Sequence, residues 1–190
     1  MKRTIGNNTF KGMDYRSSLF IVEYYEDCTF DSCNFSGIEL SESTFIDCTF
    51  VSCNFSMTKL TNTSFNNAVF RNCKILGVHF ENANHLMQSY NFENCVLNFS
   101  SFFRLKIPKT KFADCQINDA DFVETDLTMA VFNNCDLKGT MFNDSVLVKV
   151  DFSTAYNFDI DLEQNKINKA KFSRLGLEGL LRKYDLEIED

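Results

Sequence analysis

Large apolar residues recur at every fifth position over most of this 190-residue chain. From Ile5 to Phe80 all sixteen such positions hold Phe, Tyr, Leu or Ile, and from Phe92 to Phe152 all thirteen do. A period of five matches neither the 3.6-residue repeat of an amphipathic helix nor the two-residue alternation of a strand. The backbone must therefore turn in regular five-residue steps, which is a repeat architecture.

A second column of mostly small residues lies two positions before each large one. It contains all eight cysteines of the chain, together with Ser, Thr, Ala and some aliphatic residues. The remaining positions of each step are largely Asp, Asn, Glu, Lys, Ser and Thr, as expected at solvent-exposed turns. Each step therefore directs one large and one small side chain inward.

The stretch that begins at Cys28 is closely repeated twenty residues later, from Cys48. Twenty is four steps of five, so we expect four faces in each turn of a solenoid. If two extra residues lie between Phe80 and Phe92, one face becomes a ladder of phenylalanines beside a continuous file of cysteines. This predicted core comprises Phe10, Phe30, Phe50, Phe70, Phe92, Phe112, Phe132, Phe152 and Phe172, with Cys33, Cys53, Cys73, Cys95, Cys115 and Cys135.

Two segments break the five-residue count. The extra residues at 81–91 predict an irregular corner, in which the centre of the fourth face should fall near His85 or Met87. Residues 155–161 place Asn157 where a large apolar residue belongs, and the phase returns by Phe172. We therefore expect a solenoid of about eight to nine coils over residues 1–172.

Residues 173–190 form a separate C-terminal element in this interpretation. Ser173 is a candidate cap for a short helix over 174–184, and the tail alternates apolar and acidic residues as a half-buried strand would. An open solenoid end exposes its core and needs a cap or a partner. We weigh a monomeric cap against a homodimer joined end to end, with Leu177, Leu180, Leu181, Tyr184, Leu186 and Ile188 as the interface.

The formal net charge of −7 argues against nucleic-acid binding, which requires cationic side chains to displace counterions from phosphates. An acidic protein more plausibly meets a basic partner. Residues 21–60 hold seven Asp or Glu against Lys59 alone. Such a run is either a solvated face that keeps the protein soluble or a partner-binding surface.

The N-terminal residues lack an apolar export segment, and no run is long enough to span a membrane. We therefore expect a cytoplasmic protein whose thiols stay reduced. The cysteines lie five apart, unlike zinc motifs, so we expect them to pack in the core and predict no metal and no cofactor. His79 is predicted to point outward and His85 lies in the irregular corner, so no catalytic group is recognisable and no enzyme is expected.

The order small, polar, Phe or Leu, polar, any, seen at 120–124 and 135–139, resembles the pentapeptide repeat. The resemblance covers about residues 5–177 and implies an all-β fold, a right-handed quadrilateral parallel β-helix. Within that family, residues 73–81, 152–161 and the Leu-rich tail are similar to the quinolone-resistance (Qnr-type) and microcin-immunity branch. Many members of that branch carry long loops, whereas this chain has only the short irregularity at 81–91.

The resemblance implies a binding protein that mimics DNA and occupies DNA gyrase or topoisomerase IV, with protection from fluoroquinolones or a toxin. The alternative is a structural or interaction module with a different protein partner and no role at gyrase. In either case we expect neither direct nucleic-acid nor membrane contact. The candidate partner-binding residues, predicted to lie on an outward acidic face, are Glu23, Glu26, Asp31, Glu39, Glu42, Asp47, Asp121, Glu124 and Asp126.

Overall fold

The computed structural model describes residues 3–86 and 88–189. In this part of the chain the backbone winds into a parallel β-solenoid of about eight turns, as the five-residue count predicts. Each short strand consists of a large inward residue and its neighbours. The strands are β1 (Thr4–Gly6), β2 (Thr9–Lys11), β3 (Tyr24–Glu26), β4 (Thr29–Asp31), β5 (Thr44–Ile46), β6 (Thr49–Val51), β7 (Ser64–Asn66), β8 (Ala68–Arg71), β9 (Tyr90–Glu93), β10 (Lys111–Ala113), β11 (Val131–Asn133), β12 (Asp151–Phe152) and β13 (Lys171–Phe172).

Four faces are distinguished by the large residues at their centres. In one turn the centres of the first to fourth faces are, in order, Phe30, Phe35, Leu40 and Phe45. The first face holds the phenylalanine ladder and is a continuous nine-stranded sheet, from β2 to β13. The fourth face begins as a four-stranded sheet of β1, β3, β5 and β7. The second, third and later fourth faces are joined by isolated parallel bridges, such as Asn34 with Asn54 and Asp121 with Met141.

The strands from β1 to β11 each end where the residue two positions after the centre adopts a left-handed conformation. Ser32 and Asp114, for example, follow first-face strands with φ of 57° and 54°. Asn and Asp tolerate this region better than most residues, which explains their abundance at these positions. We call these positions corners, numbered by the face they follow.

The first-face ladder stacks without interruption. Successive rings from Phe10 to Phe172 lie 4.7 to 5.3 Å apart between centroids, and their planes are nearly parallel. Rings on neighbouring faces meet edge to face, as between Phe112 and Phe122. Stacked and edge-to-face contacts each add about 0.5 to 1.5 kcal/mol beyond area burial.

The eight cysteines are free and buried. Most of their thiols donate to a carbonyl on the preceding turn, as Cys53 Sγ does to Phe30 O at 3.2 Å. Burial raises the pKa of the Cys48 thiol to about 12. The cysteines therefore act as small core residues whose single polar group is satisfied.

The irregular corner at 81–91 has a different centre from the one predicted. A 3₁₀ helix, Phe80–Asn82, begins at the third-face centre of this turn, and His85 is exposed, so its assignment as a centre is wrong. Met87, the other predicted centre, lies outside the described residues. Tyr90 fills the gap in the core, with its ring 5.8 Å from that of Phe65 and 5.3 Å from that of Phe80.

The C-terminal element closes the last turn as two 3₁₀ helices, Arg174–Leu180 and Arg182–Tyr184, rather than one regular helix. Ser173 caps the first helix, since its Oγ accepts from the Gly176 N–H at 3.0 Å. A Cβ at Gly179 would collide with the Phe158 backbone and ring, so glycine allows the helix to lie against the core. Phe158 itself replaces the missing centre, because Asn157 points outward with φ of 59°.

Candidate protein-binding surface

The third face and the corner that follows it gather eight acidic side chains of the described residues. Bridges align the residues that precede the third-face centres, such as Glu39 with Lys59 and Ser101 with Asp121. We call this surface the acidic face. Its carboxylates are Glu39, Glu42, Glu81, Asp121, Glu124, Asp144, Asp161 and Glu163.

Part of the acidic face is neutralised locally. Arg104 binds Glu124 through two contacts, at 2.7 and 2.9 Å, and this guanidinium lowers the pKa of the Glu124 carboxyl. His79 Nδ1 lies 2.8 Å from Glu81 Oε1. Among the described residues no cation lies within ion-pair distance of Glu39, Asp121 or Asp144, so these carboxylates retain a negative field for a partner.

The nine predicted partner-binding acids do not form one surface. Four of them, Glu39, Glu42, Asp121 and Glu124, belong to the acidic face, and Asp126 lies beside it on the fourth face. Four lie elsewhere. Glu26 is on the fourth face and Asp47 is at the fourth corner. Asp31 is on the first face, in an ion pair with Lys11 at 3.1 Å. Glu23 points inward.

The assignment of Glu23 to an outward face is wrong. Glu23 lies two residues before Tyr25, in the column that elsewhere holds small inward residues, and its side chain is half-buried. Its Oε2 atom is buried and has no hydrogen-bond partner among the described residues. Glu23 therefore contributes little to a surface that a partner could contact.

The fourth face, its corner and the adjoining edge of the first face carry lysines, although the net charge of the chain is negative. In the C-terminal half of the solenoid, exposed lysines occupy three adjacent columns. These are the residue before the fourth-face centre, the fourth corner, and the residue before the first-face centre. We call this surface the lysine edge. It consists of Lys106, Lys109, Lys111, Lys149, Lys166, Lys169 and Lys171.

Two exposed apolar side chains flank the acidic face at the second corner. Phe99 is 62% exposed and Met57 is 65% exposed. Phe99 adopts φ of 62°, which is unusual for a bulky residue and costs about 1 to 2 kcal/mol. A strained and exposed aromatic side chain is a candidate for function.

The predicted interface residues of the C-terminal element differ in exposure. Leu180 is buried in the chain's own core and Leu181 is half-buried, whereas Leu177 and Tyr184 are exposed. The predicted half-buried strand at 186–188 is absent, because the tail has no neighbouring strand to pair with. Leu186 and Ile188 are instead 57% and 53% exposed beside a groove of about 340 Å³ that Leu181 also lines.

His79 is exposed and bound to Glu81, and His85 is exposed in the irregular corner. The described residues contain no group of three or more His, Cys, Asp or Glu that could hold a metal ion. They also contain no helix with the length and apolar character needed to cross a bilayer.

Coils of twenty residues with four inward centres define a quadrilateral parallel β-solenoid. Family models for the pentapeptide repeat region and for eight copies of the pentapeptide repeat match residues 25–86 and 115–154. The chain belongs to the pentapeptide-repeat family. No curated protein sequence matches it significantly.

Several solved structures resemble the fold. Full-length QnrB1, a plasmid-mediated fluoroquinolone resistance protein, is 18% identical over 97% of this chain and 100% of its own, with a TM-score of 0.54. A trypsin-treated QnrB1 variant is 20% identical over 98% and 100% of the two chains, with a TM-score of 0.48. HetL from the cyanobacterium Nostoc, involved in heterocyst differentiation regulation, is 13% identical over 90% and 85%, with a TM-score of 0.36.

Proposed function

We propose that the protein binds a bacterial type II topoisomerase, DNA gyrase or topoisomerase IV, as a mimic of DNA in shape and charge. The observation that carries the proposal is the acidic face, where Glu39, Asp121 and Asp144 lie on one side of a slender solenoid and no described cation forms an ion pair with them. A channel that binds DNA is lined by cationic side chains, so it attracts such a surface.

Two further points support this choice of partner. The sequence resembles the Qnr-type branch, whose members occupy gyrase and topoisomerase IV in place of DNA. QnrB1, which shares the fold along its full length, is a fluoroquinolone resistance protein. Protection of the topoisomerase from fluoroquinolones would follow from competition for the channel.

A supercoiling assay with purified gyrase, with and without ciprofloxacin, tests the proposal. We expect the protein at micromolar concentration to inhibit supercoiling or to reduce drug-stabilised cleavage. The variant Glu39→Lys with Asp121→Lys should weaken the effect, most strongly at low salt. The control variant Asp114→Lys with Asp136→Lys makes the same change in net charge on other faces and should act like the wild type.

The contrary result is equally specific. If the protein changes neither supercoiling, cleavage nor drug sensitivity, gyrase is not its partner. If both charge-reversal variants lose the effect equally, net charge rather than the acidic face governs binding.

A binding module for a different protein partner is the second candidate. The exposed side chains of Phe99 and Met57 favour it, because a DNA backbone offers no counterpart to apolar groups of this size. In that case Phe99→Ala would abolish binding to the partner, while the gyrase assay would show no response to the wild-type protein.

We also propose that the C-terminal tail joins two chains end to end. Leu177, Tyr184, Leu186 and Ile188 are exposed apolar residues at the closed end of the solenoid. Sedimentation at 500 mM NaCl, which screens ion pairs between exposed charges, of the wild type against Leu186→Asp with Ile188→Asp tests this pairing. A monomeric variant supports it, and unchanged sedimentation of a folded variant excludes it.

A further inference from the structure

The fourth corner, between the fourth and first faces, carries opposite charges at its two ends. Asp27 and Asp47 occupy this corner on two adjacent turns near the N-terminal end, and Lys149 and Lys169 occupy it on two adjacent turns near the C-terminal end. All four residues have φ between 51° and 60°. The N–H groups of Asp27, Asp47 and Lys149 donate to the next turn in the same way, to Ile46 O, Asn66 O and Asn168 O at 2.9 to 3.0 Å.

These charges are largely free of local partners. Among the described residues no carboxylate lies within ion-pair distance of Lys109, Lys149 or Lys169, and no cation lies that close to Asp27 or Asp47. Asp47 accepts one hydrogen bond, from the Asn67 amide at 2.6 Å. The other lysines of the lysine edge strengthen the basic end, where Lys171 is paired with Asp151 at 3.0 Å.

The two ends match each other in spacing. Adjacent parallel strands lie about 4.8 Å apart, so the two aspartates and the two lysines are each separated by one turn. A second copy that runs antiparallel along this corner can place Asp27 opposite Lys169 and Asp47 opposite Lys149 at the same time. The two-fold axis then repeats both contacts, which gives four ion pairs.

We propose that a second copy of this chain docks side by side and antiparallel along the fourth corner. This pairing is independent of the topoisomerase proposal, and it uses a different surface from the end-to-end contact. A parallel copy in register would place like charges together, which disfavours it.

Other occupants satisfy only one end of the corner. An anionic polymer such as nucleic acid would bind the lysine edge but would be repelled by Asp27 and Asp47 and by a chain of net charge −7. A cationic partner would be attracted by Asp27 and Asp47 but repelled by the lysine edge. A surface with both signs in the opposite order suits the whole edge, and the same corner of a second copy is such a surface.

Sedimentation velocity of the full chain with Leu186→Asp and Ile188→Asp, which removes the proposed end-to-end contact, is the first test, at several salt concentrations. Because exposed ion pairs are screened by salt, we expect a dimer at 50 mM NaCl whose dissociation constant rises at least about tenfold by 500 mM. A protein that is monomeric at 50 mM NaCl and 200 µM chain overturns the proposal. So does a dimer of unchanged affinity across this range.

Charge-reversal variants, made in the same Leu186→Asp, Ile188→Asp background, provide the second test. Asp27→Lys with Asp47→Lys puts lysines at both ends of the fourth corner, and Lys149→Glu with Lys169→Glu puts carboxylates at both ends, so each variant alone should be monomeric. An equimolar mixture of the two should form a heterodimer, because both ends are again complementary. The control Lys74→Glu with Lys138→Glu reverses two lysines on the second face and should dimerise like the wild type.

The unfolding transition of each variant shows separately whether it is folded. A mixture of two folded variants that fails to associate therefore overturns the proposal. Dimerisation of either variant alone, with the wild-type affinity, overturns it as well. If the wild type instead binds a 20-base-pair DNA duplex through the lysine edge and does not self-associate, nucleic acid is the occupant and the proposal is wrong.

Carbodiimide cross-linking, which joins a carboxylate directly to an amine, fixes the register. Within one chain Asp47 and Lys149 are separated by five turns, or about 24 Å, so a direct link between them must join two chains. A cross-linked peptide that contains Asp47 and Lys149 supports the antiparallel register. Cross-links confined to lysines of other faces contradict it.

Discussion

The rings of Phe70 and Phe92 stack with centroids 5.2 Å apart and an interplanar angle of 15°, although 22 residues separate them instead of the usual 20. Their strands pair in register over four residues, from Ala68 with Tyr90 to Arg71 with Glu93. The core therefore continues through the irregular corner, and the extra residues are accommodated outside it.

The uninterrupted ladder predicts a large cost for the loss of one ring. Phe112 is fully buried between Phe92 and Phe132, with centroid separations of 5.2 and 4.7 Å. We expect Phe112→Ala to lower the free energy of unfolding by about 3 to 5 kcal/mol, as measured by urea denaturation. Phe50→Ala should do the same, and an unchanged midpoint in both variants would contradict the assigned register.

At Tyr90 we predict a substitution that raises the free energy of unfolding instead of lowering it. Its side chain is buried in the core, and its hydroxyl has no hydrogen-bond partner among the described residues. A buried hydroxyl without a partner costs about 1 to 3 kcal/mol. We expect Tyr90→Phe to raise the free energy of unfolding by about 1 kcal/mol.

Tyr90→Ala is the matched comparison, because it removes the ring as well as the hydroxyl. It should destabilise the protein by about 3 to 5 kcal/mol, as at the regular centres. Destabilisation by Tyr90→Phe would show that the hydroxyl is satisfied, and would falsify the assignment of an orphaned group.

The columns of the solenoid could be predicted because a five-residue period is a geometric constraint that acts at every turn. The inward position of Tyr90 could not be predicted, since the inserted residues interrupt the five-residue count by which inward positions are identified. Glu23 could have been placed correctly from the small inward column, two residues before Tyr25. The density of carboxylates over residues 21–60 does not reveal the inward position of Glu23, because these residues form two turns and therefore lie on all four faces.

The grouping of the acidic side chains required the turns to be aligned across the insertion. Glu39 and Asp121 are far apart in sequence but lie in one outward column of the third face. Asp27 and Lys149 likewise share a corner, which neither net charge nor local composition reveals. The C-terminal tail was predicted as a strand from alternation alone, and alternation does not supply the neighbour that a strand requires.

The strain at Phe99 predicts a conflict between stability and binding. Asn tolerates the left-handed region, so Phe99→Asn should raise the free energy of unfolding by about 1 kcal/mol. Asn62→Phe, at a corner with φ of 54°, is the reverse change and should lower it by a similar amount. If Phe99→Asn is more stable yet binds its partner less tightly, the strained aromatic residue is retained for function. Equal stability of Phe99→Asn and the wild type would show that the corner accepts Phe without strain.

Docking of the C-terminal element should weaken in acid. Lys183 Nζ lies 2.8 Å from Asp161 Oδ1 and 2.9 Å from Glu163 Oε2, and these contacts lower the pKa of both carboxyls. A carboxyl whose pKa is lower in the folded state stabilises it above the unfolded pKa, and this contribution is lost as the pH falls through the folded value.

Because unfolded Asp and Glu titrate near pH 4, we expect docking of the element to weaken below about pH 4 and to be constant above about pH 5. The chain has seven glycines, so selective ¹⁵N-glycine labelling allows the Gly176 and Gly179 amides to be followed during an acid titration. Lys183→Met should shift the Gly179 resonance toward its acid position already at pH 7, and Lys74→Met, on the second face several turns away, should not. A Gly179 resonance that is constant from pH 7 to pH 3 in the wild type would show that packing of Gly179 on Phe158, rather than the Lys183 ion pairs, holds the element in place.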